Sequence, residues 1–195
     1  MKHFVYFSNS ASTSGKALSG NLMNAGRMDI AIHSLIQGIF LSHDFRKDVK
    51  FHFIFYGQPD PPKHIEIQVK DETIISKKDV AGLIQKILYK YRKGQKTEVF
   101  AGCFVEKKSF LNVIEELEKE GNSIFILDKR GEDIRKTEIS KNCVFIVGDH
   151  EDKGLPQKEM RRLKQIAIPV SIGPKTYFAS QTIAIVNNEL DRREI

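Results

Sequence analysis

Apolar and polar positions along this chain of 195 residues switch between two periods, and the switches mark its elements. Lys2–Phe7 reads as a buried strand. Ser8–Ala25, rich in Ser, Gly and Asn, predicts a loop. From Arg27 to near His43 the residues Met28, Ile32, Leu35, Ile36, Ile39 and Phe40 fall on one stripe, which predicts a core-facing helix. Val49–Tyr56 is a dense aromatic and β-branched run, hence a strand, ended by Gly57-Gln58-Pro59-Asp60-Pro61-Pro62. His64–Val69 alternates as a half-exposed strand does. Lys77–Lys93 predicts a helix with Val80, Leu83, Ile84, Ile87 and Leu88 on its buried face. Its tail, Lys90-Tyr91-Arg92-Lys93 and then Lys96, is basic.

Val99–Val105 predicts a further strand with an irregularity at Gly102. Ser109 is placed to cap a helix whose buried face is Phe110, Val113, Ile114 and Leu117 and whose stop is Gly121. Ser123–Leu127 reads as a short buried strand, Asp128–Gly131 as a turn and Glu132–Ser140 as a short helix. Cys143–Val147 and Ile166–Ser171 are buried-strand signals. Ile183, Val186 and Leu190 place a last helix after them, closed by Asp191 and Arg192. Arg192 suits the negative end of that helix, and Asp191 is placed to pair with a neighbouring cation. Strands alternating with helices predict an α/β sheet covered by helices on both faces. With no repeat or linker, residues 1–195 are expected to form a single domain.

Composition narrows the class. The chain is 41% hydrophobic, enough for a core, and has no run long enough to span a membrane. Its short first apolar segment does not make a signal peptide, so a soluble, cytoplasmic protein is expected. Cys103 and Cys143 stand far apart, without a C-x-x-C pair or a Cys/His spacing for zinc, so no metal is expected and both read as core residues. A net charge of +6 favours a polyanionic partner. The clusters Lys86-Lys90-Arg92-Lys93 and Arg161-Arg162-Lys164 fit an RNA backbone or a solvated helix face equally well.

The last two strands each run into a glycine loop. The first begins Gly148-Asp149-His150 and closes Gly154-Leu155-Pro156; the second is Ile172-Gly173-Pro174-Lys175. Such loops let backbone amides approach a ligand at the carboxyl ends of strands. Ser14-Gly15-Lys16 looks like part of a phosphate-binding loop, but Ser10 and Ala17 stand where that motif needs Gly and Ser or Thr. A dinucleotide fingerprint is also missing.

Val147-Gly148-Asp149-His150, Ser171-Ile172-Gly173-Pro174, Asn188-Glu189-Leu190-Asp191-Arg192 and the earlier Gly26-Arg27-Met28-Asp29 together resemble the SPOUT (trefoil-knot) methyltransferase superfamily, and within it the archaeal tRNA pseudouridine-54 N1-methyltransferases. The resemblance runs in order along nearly the whole chain. One departure is that Gly154 follows His150 by four residues, where the family usually has a glycine after two. The resemblance implies a C-terminal trefoil knot, with the last helix passed through the loop around Gly148–Pro156, and a homodimer. It implies S-adenosylmethionine (SAM) as cofactor and N1 of pseudouridine in tRNA, position 54 of the T-loop, as methyl acceptor. Related activities are methylation of pseudouridine in ribosomal RNA or of a ribose 2′-hydroxyl. A SAM- and RNA-binding module without catalysis, or an α/β enzyme on a small phosphorylated substrate, are alternatives of other classes.

By the same resemblance, Leu127, Gly148, Ser171, Ile172, Gly173 and Lys175 are expected in the cofactor pocket, and Arg27, Asp29 and Asp149 in catalysis. Each has a plainer role open to it. Leu127 suits core packing, the glycines suit tight turns, Asp29 suits the positive end of a helix, and His150 suits a polar loop. Arg27 is unfavourably placed for that dipole, which gives a substrate contact more weight. Asp29 is the first candidate base for the N1 proton and Asp149 the second.

Overall fold

The computed structural model describes residues 1–148 and 157–195, with the backbone alone at 158. Its centre is β1 (Lys2–Ser8), every residue of which is buried. A strand with both faces covered must be apolar throughout, and Phe4-Val5-Tyr6-Phe7 meets that need. β1 pairs in parallel with β2 (Val49–Phe55) on one side and with β7 (Cys143–Gly148) on the other. β7 pairs in parallel with β6 (Ser123–Asp133), and β6 with β8 (Ala167–Ser171). Beyond β2 the sheet turns antiparallel through β3 (Lys63–Gln68), β5 (Cys103–Glu106) and β4 (Thr97–Phe100). The order of the eight-stranded sheet is β4-β5-β3-β2-β1-β7-β6-β8.

Helices cover both faces, as the apolar stripes predict. One cluster joins the sheet to α1 (Met28–Ile39), α2 (Val80–Tyr89) and α5 (Ala179–Arg192) through residues such as Leu35, Ile84 and Ile183. The other face packs under α3 (Phe110–Lys119) and α4 (Gln157–Ile166) through Phe110, Ile114 and Leu163. α1 and α5 pack on each other, and the buried Asn187 side chain donates to the Gln37 and Gly38 carbonyls at 2.9 and 3.4 Å. Arg46 holds Asp191 by two 2.6 Å bonds, which is the cation expected for that carboxylate. Both cysteines are buried and free, and burial pushes their thiols up to about 11. Among the described residues no helix is long and apolar enough to cross a membrane. Residues 149–156, on which the expected knot loop falls, lie outside the described residues.

Several expectations need correction. Val99–Val105 is two strands, because Gly102 at φ +74° turns the chain back on itself and Phe100 pairs with Cys103. Residues Asp128–Gly131 are a bulge inside β6, and the helix expected over Glu132–Ser140 is absent. Leu127 and Glu132 both pair with Val170, so the four residues between them loop out while the strand resumes. Gly131 permits this; a Cβ there would meet the Pro169 and Val170 backbone at 2.5 Å. Arg193 then donates to the Ile134 and Thr137 carbonyls at 2.6 and 2.8 Å, binding the following turn to the end of α5. α1 ends at Ile39 rather than near His43, since Phe40 leaves in an extended conformation to bridge Phe45.

Sequence spacing shows no histidine cluster, but the strands build one. His3 Nδ1 meets His52 Nε2 at 3.0 Å, His52 Nδ1 meets His64 Nε2 at 3.0 Å, and His64 Nδ1 meets Glu106 Oε1 at 3.0 Å. The rings are tilted by only 16° and 12°, with centroids 5.3 and 5.2 Å apart, so they join edge to edge across β1, β2, β3 and β5. Burial raises the Glu106 carboxyl, but the hydrogen bonds from His64 and Lys108 outweigh it and hold it at about 2. An ionised carboxylate only accepts, so His64 donates from Nδ1, and His52 and His3 in turn donate from theirs. His52, His64 and Glu66 offer metal-ligand atoms within 4.8 Å of one another. The facing imidazole nitrogens, however, are already joined to each other.

Candidate active site

The chain reverses its direction of strand addition at β7, β6 and β8: β7 lies inside β6, and β8 is added outside it. In open α/β sheets such a reversal leaves a crevice beyond the carboxyl ends of the strands. Two adjoining clefts occupy that place. The first, about 280 Å³, is lined by Leu127, Asp128 and Lys129 after β6, by Val170, Ile172, Gly173 and Lys175 after β8, and by Thr176, Tyr177 and Thr182. The second, about 290 Å³, shares Leu127, Thr176, Tyr177 and Thr182 and adds Ile30, Val147, Gly148, Phe178 and Ala179. Leu127 therefore divides the two. The first turn of α5 borders the second cleft and turns its partial positive charge toward it.

The loop after β8 holds its shape through its own atoms. Ser171 Oγ donates to the Gly173 carbonyl at 3.2 Å and accepts from the Gly173 amide at 3.3 Å. Gly173 has φ +144°, a conformation that favours glycine. The Gln181 side chain accepts from the Phe178 amide at 3.1 Å and caps α5. At Gly148 an added Cβ would meet no atom of the described residues within 4 Å, so the backbone there is open on the side of the second cleft.

Of the residues expected to bind cofactor, Leu127, Ile172, Gly173 and Lys175 line the first cleft, and Leu127 and Gly148 line the second. Ser171 does not line either; its hydroxyl closes the turn. Arg27 lies just before α1, at φ 58°, rather than inside its first turn. Its guanidinium donates to both oxygens of Asp29 at 3.1 and 3.0 Å. That bond, against slight burial, holds the Asp29 carboxyl below the usual carboxylate range. Ile30, the next residue, lines the second cleft, whereas Arg27 and Asp29 line neither. Asp149 and His150 lie outside the described residues.

The clefts also contain residues that sequence reasoning missed: Asp128, Lys129, Thr176, Tyr177, Phe178 and Thr182. Tyr177-Phe178, an aromatic pair between a glycine loop and a helix, is the one signal that was available. Asp128 is held below its ordinary value by Arg130, its own bulge neighbour. Within the described residues the clefts thus offer apolar walls, backbone amides and hydroxyls, and no carboxyl raised toward neutral pH. Such groups bind and align a ligand.

Comparison with known proteins agrees with this geometry. A family model whose description reads "Putative SAM-dependent RNA methyltransferase" matches residues 1–195. The tRNA (pseudouridine(54)-N(1))-methyltransferase of Methanococcoides burtonii is 32% identical, over 98% of this chain and 96% of that protein. The protein of the same name from Pyrococcus abyssi is 34% identical, over 98% of each. Among solved structures, Archaeoglobus fulgidus Nep1 bound to S-adenosylhomocysteine aligns with a TM-score of 0.63 at 12% identity, over 99% of this chain and 98% of that one, which shows a shared fold. The match over the full length of the family model, with clefts at the reversal of the sheet, places this chain in the SAM-dependent RNA methyltransferase family, as its glycine loops led one to expect.

Proposed function

We propose that the protein methylates N1 of pseudouridine 54 in tRNA with SAM as donor. The observation that carries this reading is the pair of adjoining clefts divided by Leu127, one for a cofactor and one for a base. Relatives bearing that activity in their names match along the whole chain, which supports the substrate. The residues present fit the cofactor: Gly148 presents bare backbone to open space, as a loop does where a ligand must come close. SAM would lie in the first cleft and reach past Leu127 to the Gly148 backbone, with Leu127 and Ile172 as apolar walls, amides of the Ile172–Lys175 loop as donors, and Ser171 keeping that loop in shape. Bound there, SAM supplies a methyl group on a positive sulfur and so brings its own leaving group.

Pseudouridine carries an N1–H that uridine lacks, and that proton must leave as the new N–C bond forms. The charge left on the ring carbonyls calls for a cation, and Arg27, three residues before the cleft-lining Ile30, is the one we assign to it. Asp29 grips Arg27 through two bonds, so its best role is to aim the guanidinium; acting as a base would require breaking that grip. Asp149 is the remaining candidate acceptor, with water as the other route. Thr176 and Tyr177, common to both clefts, would fix the base relative to the methyl group, and positioning supplies much of such a rate.

We further propose one domain over residues 1–195 and a two-fold homodimer built on α1 and α5, which would give two equivalent sites. Monodisperse monomer in light scattering at working concentration would exclude the dimer. The activity is tested by transfer of labelled methyl to tRNA transcripts carrying pseudouridine or uridine at position 54, followed by nucleoside mass spectrometry. N1-methylpseudouridine from the first and nothing from the second is expected; a 2′-O-methyl product overturns the assignment.

A further inference from the structure

Two basic clusters are present, and the fold sets them apart. On the α3/α4 face, Arg162 is bonded to Glu115 at 3.0 Å and to Glu118 at 3.4 Å, beside Glu116. That face mixes carboxylates with its cations, Arg161 and Lys164 included. At the end of α2, by contrast, Lys90, Arg92 and Lys93 are exposed and have no ion-pair partner among the described residues.

Topology fixes where that end lies. β3 runs opposite to β2, β5 opposite to β3 and β4 opposite to β5. β4 therefore starts at the edge where β1, β2 and β7 finish, and residues 90–96 lead to that start. This is the edge that holds both clefts. From β7 to β5 there are four strand spacings, or about 19 Å. A nucleotide seated in the clefts does not reach that far.

A second element arrives from the same edge. The 3-10 turn Gly15–Ser19, in the loop after β1, docks on α2. Gln85 Nε2 donates to the Gly15 carbonyl at 3.1 Å and to Ser19 Oγ at 2.7 Å. A Cβ at Gly15 would meet the Gln85 carbonyl at 2.7 Å and the Tyr89 ring at 3.0 Å, so only glycine allows this approach. The turn brings exposed Lys16 beside Tyr89, which stays 59% exposed among the basic residues. An aromatic face set among cations is how single-stranded nucleic acid is held without reading its sequence. The same loop continues to Arg27, so one segment joins this surface to the clefts.

Resting on the tRNA reading above, we propose that the last turn of α2 and the docked Gly15–Ser19 turn form a second RNA-binding surface. It grips tRNA backbone outside the target loop, through Lys16, Lys90, Arg92 and Lys93, with Tyr89 as a stacking platform. The surface lets the enzyme prefer whole tRNA over an isolated loop.

The test uses the full chain with Lys90→Gln, Arg92→Gln and Lys93→Gln combined, all at exposed positions, with melting temperature as a folding control. Fluorescence anisotropy compares whole tRNA with a minimal hairpin bearing the target loop. Affinity for tRNA should fall at least tenfold, and hairpin affinity should stay within threefold. The slope of log K against log salt for tRNA should shrink by about 2–3, as loss of three phosphate contacts requires. SAM affinity and the rate at saturating tRNA should hold. Tyr89→Ala should weaken tRNA binding without changing the slope. Unchanged tRNA affinity and slope in the triple variant overturns the surface while leaving the activity standing; so do equal losses for tRNA and hairpin. If native protein binds no tRNA, both this surface and the substrate reading fall, and the methyl-transfer assay separates that result from the first.

Discussion

Replacing Gly148 with alanine separates a ligand effect from a folding effect. Gly148 ends β7 opposite Phe7 and lines the second cleft. Among the described residues the new methyl would meet no protein atom within 4 Å, and the backbone there is not left-handed. The folded state therefore loses nothing, while the unfolded chain loses freedom, a gain of about 0.4–1 kcal/mol. For a chain of this size Tm should rise by about 1–4 °C. A ligand against that backbone would be displaced, so SAM affinity should drop at least tenfold, or about 1.4 kcal/mol. Gly173→Ala is the contrasting case: at φ +144° the side chain is strained by about 1–3 kcal/mol, and Tm should fall by about 2–10 °C. Differential scanning fluorimetry and titration calorimetry of the three proteins measure both quantities. Gly148→Ala that binds SAM as tightly as native protein would refute placing the ligand at this backbone. Gly148→Ala that melts lower would refute the open space itself.

Asp29→Asn should cut the single-turnover rate while leaving SAM affinity within twofold, because the amide cannot hold both nitrogens of Arg27; Arg27→Lys should be as damaging, since a lysine keeps the charge and loses the fork. The folded protein should weaken in acid through His3, whose pKa is lowered from 6.5 to about 4 by burial and then by Lys50. The unfolded chain takes up that proton first, so stability is whole above pH 6.5 and declines as pH falls toward 4, by about 3 kcal/mol from this ring; urea unfolding at pH 7 and pH 5 measures it, and equal midpoints would refute it. Gly38→Ala, whose Cβ would stand 2.6 Å from the Phe51 ring, should lower stability by about 1–2 kcal/mol, with overpacking outweighing the gain in helix propensity; thermal melts decide.

The helices were legible because their apolar spacing is a property of each segment alone. Val80, Leu83, Ile84, Ile87 and Leu88, picked from periodicity, are all buried in α2. The second half of β6 was not legible. Asp128–Gly131 has turn chemistry, and only pairing with Val170 and Ser171, more than thirty residues later, makes Glu132 and Asp133 strand. The histidine row was hidden for the same reason: residues 3, 52 and 64 share no spacing, and strand pairing alone aligns them. At the site, the glycine loops showed which strand ends matter. They did not show Thr176, Tyr177 and Thr182, whose place depends on the angle at which α5 leaves its loop. The bonds of the Ser171 hydroxyl to Gly173, within the turn after β8, were likewise not legible from the loops.

The row of three imidazoles has a direction, and this couples its two ends. His52 and His64 each give one hydrogen bond and take one, and His3 gives one, so no ring can exchange its tautomer alone without breaking a neighbour's bond. The row therefore runs one way, from His3 on β1 to Glu106 on β5, and it reverses only if all three rings change tautomer together. No charge comes to rest on the buried His52 between them. His3, at the start of the row, takes its proton at about 4, while Glu106 keeps its charge down to about 2. As pH falls, the His3 ring signals should therefore change before the Glu106 carboxyl does.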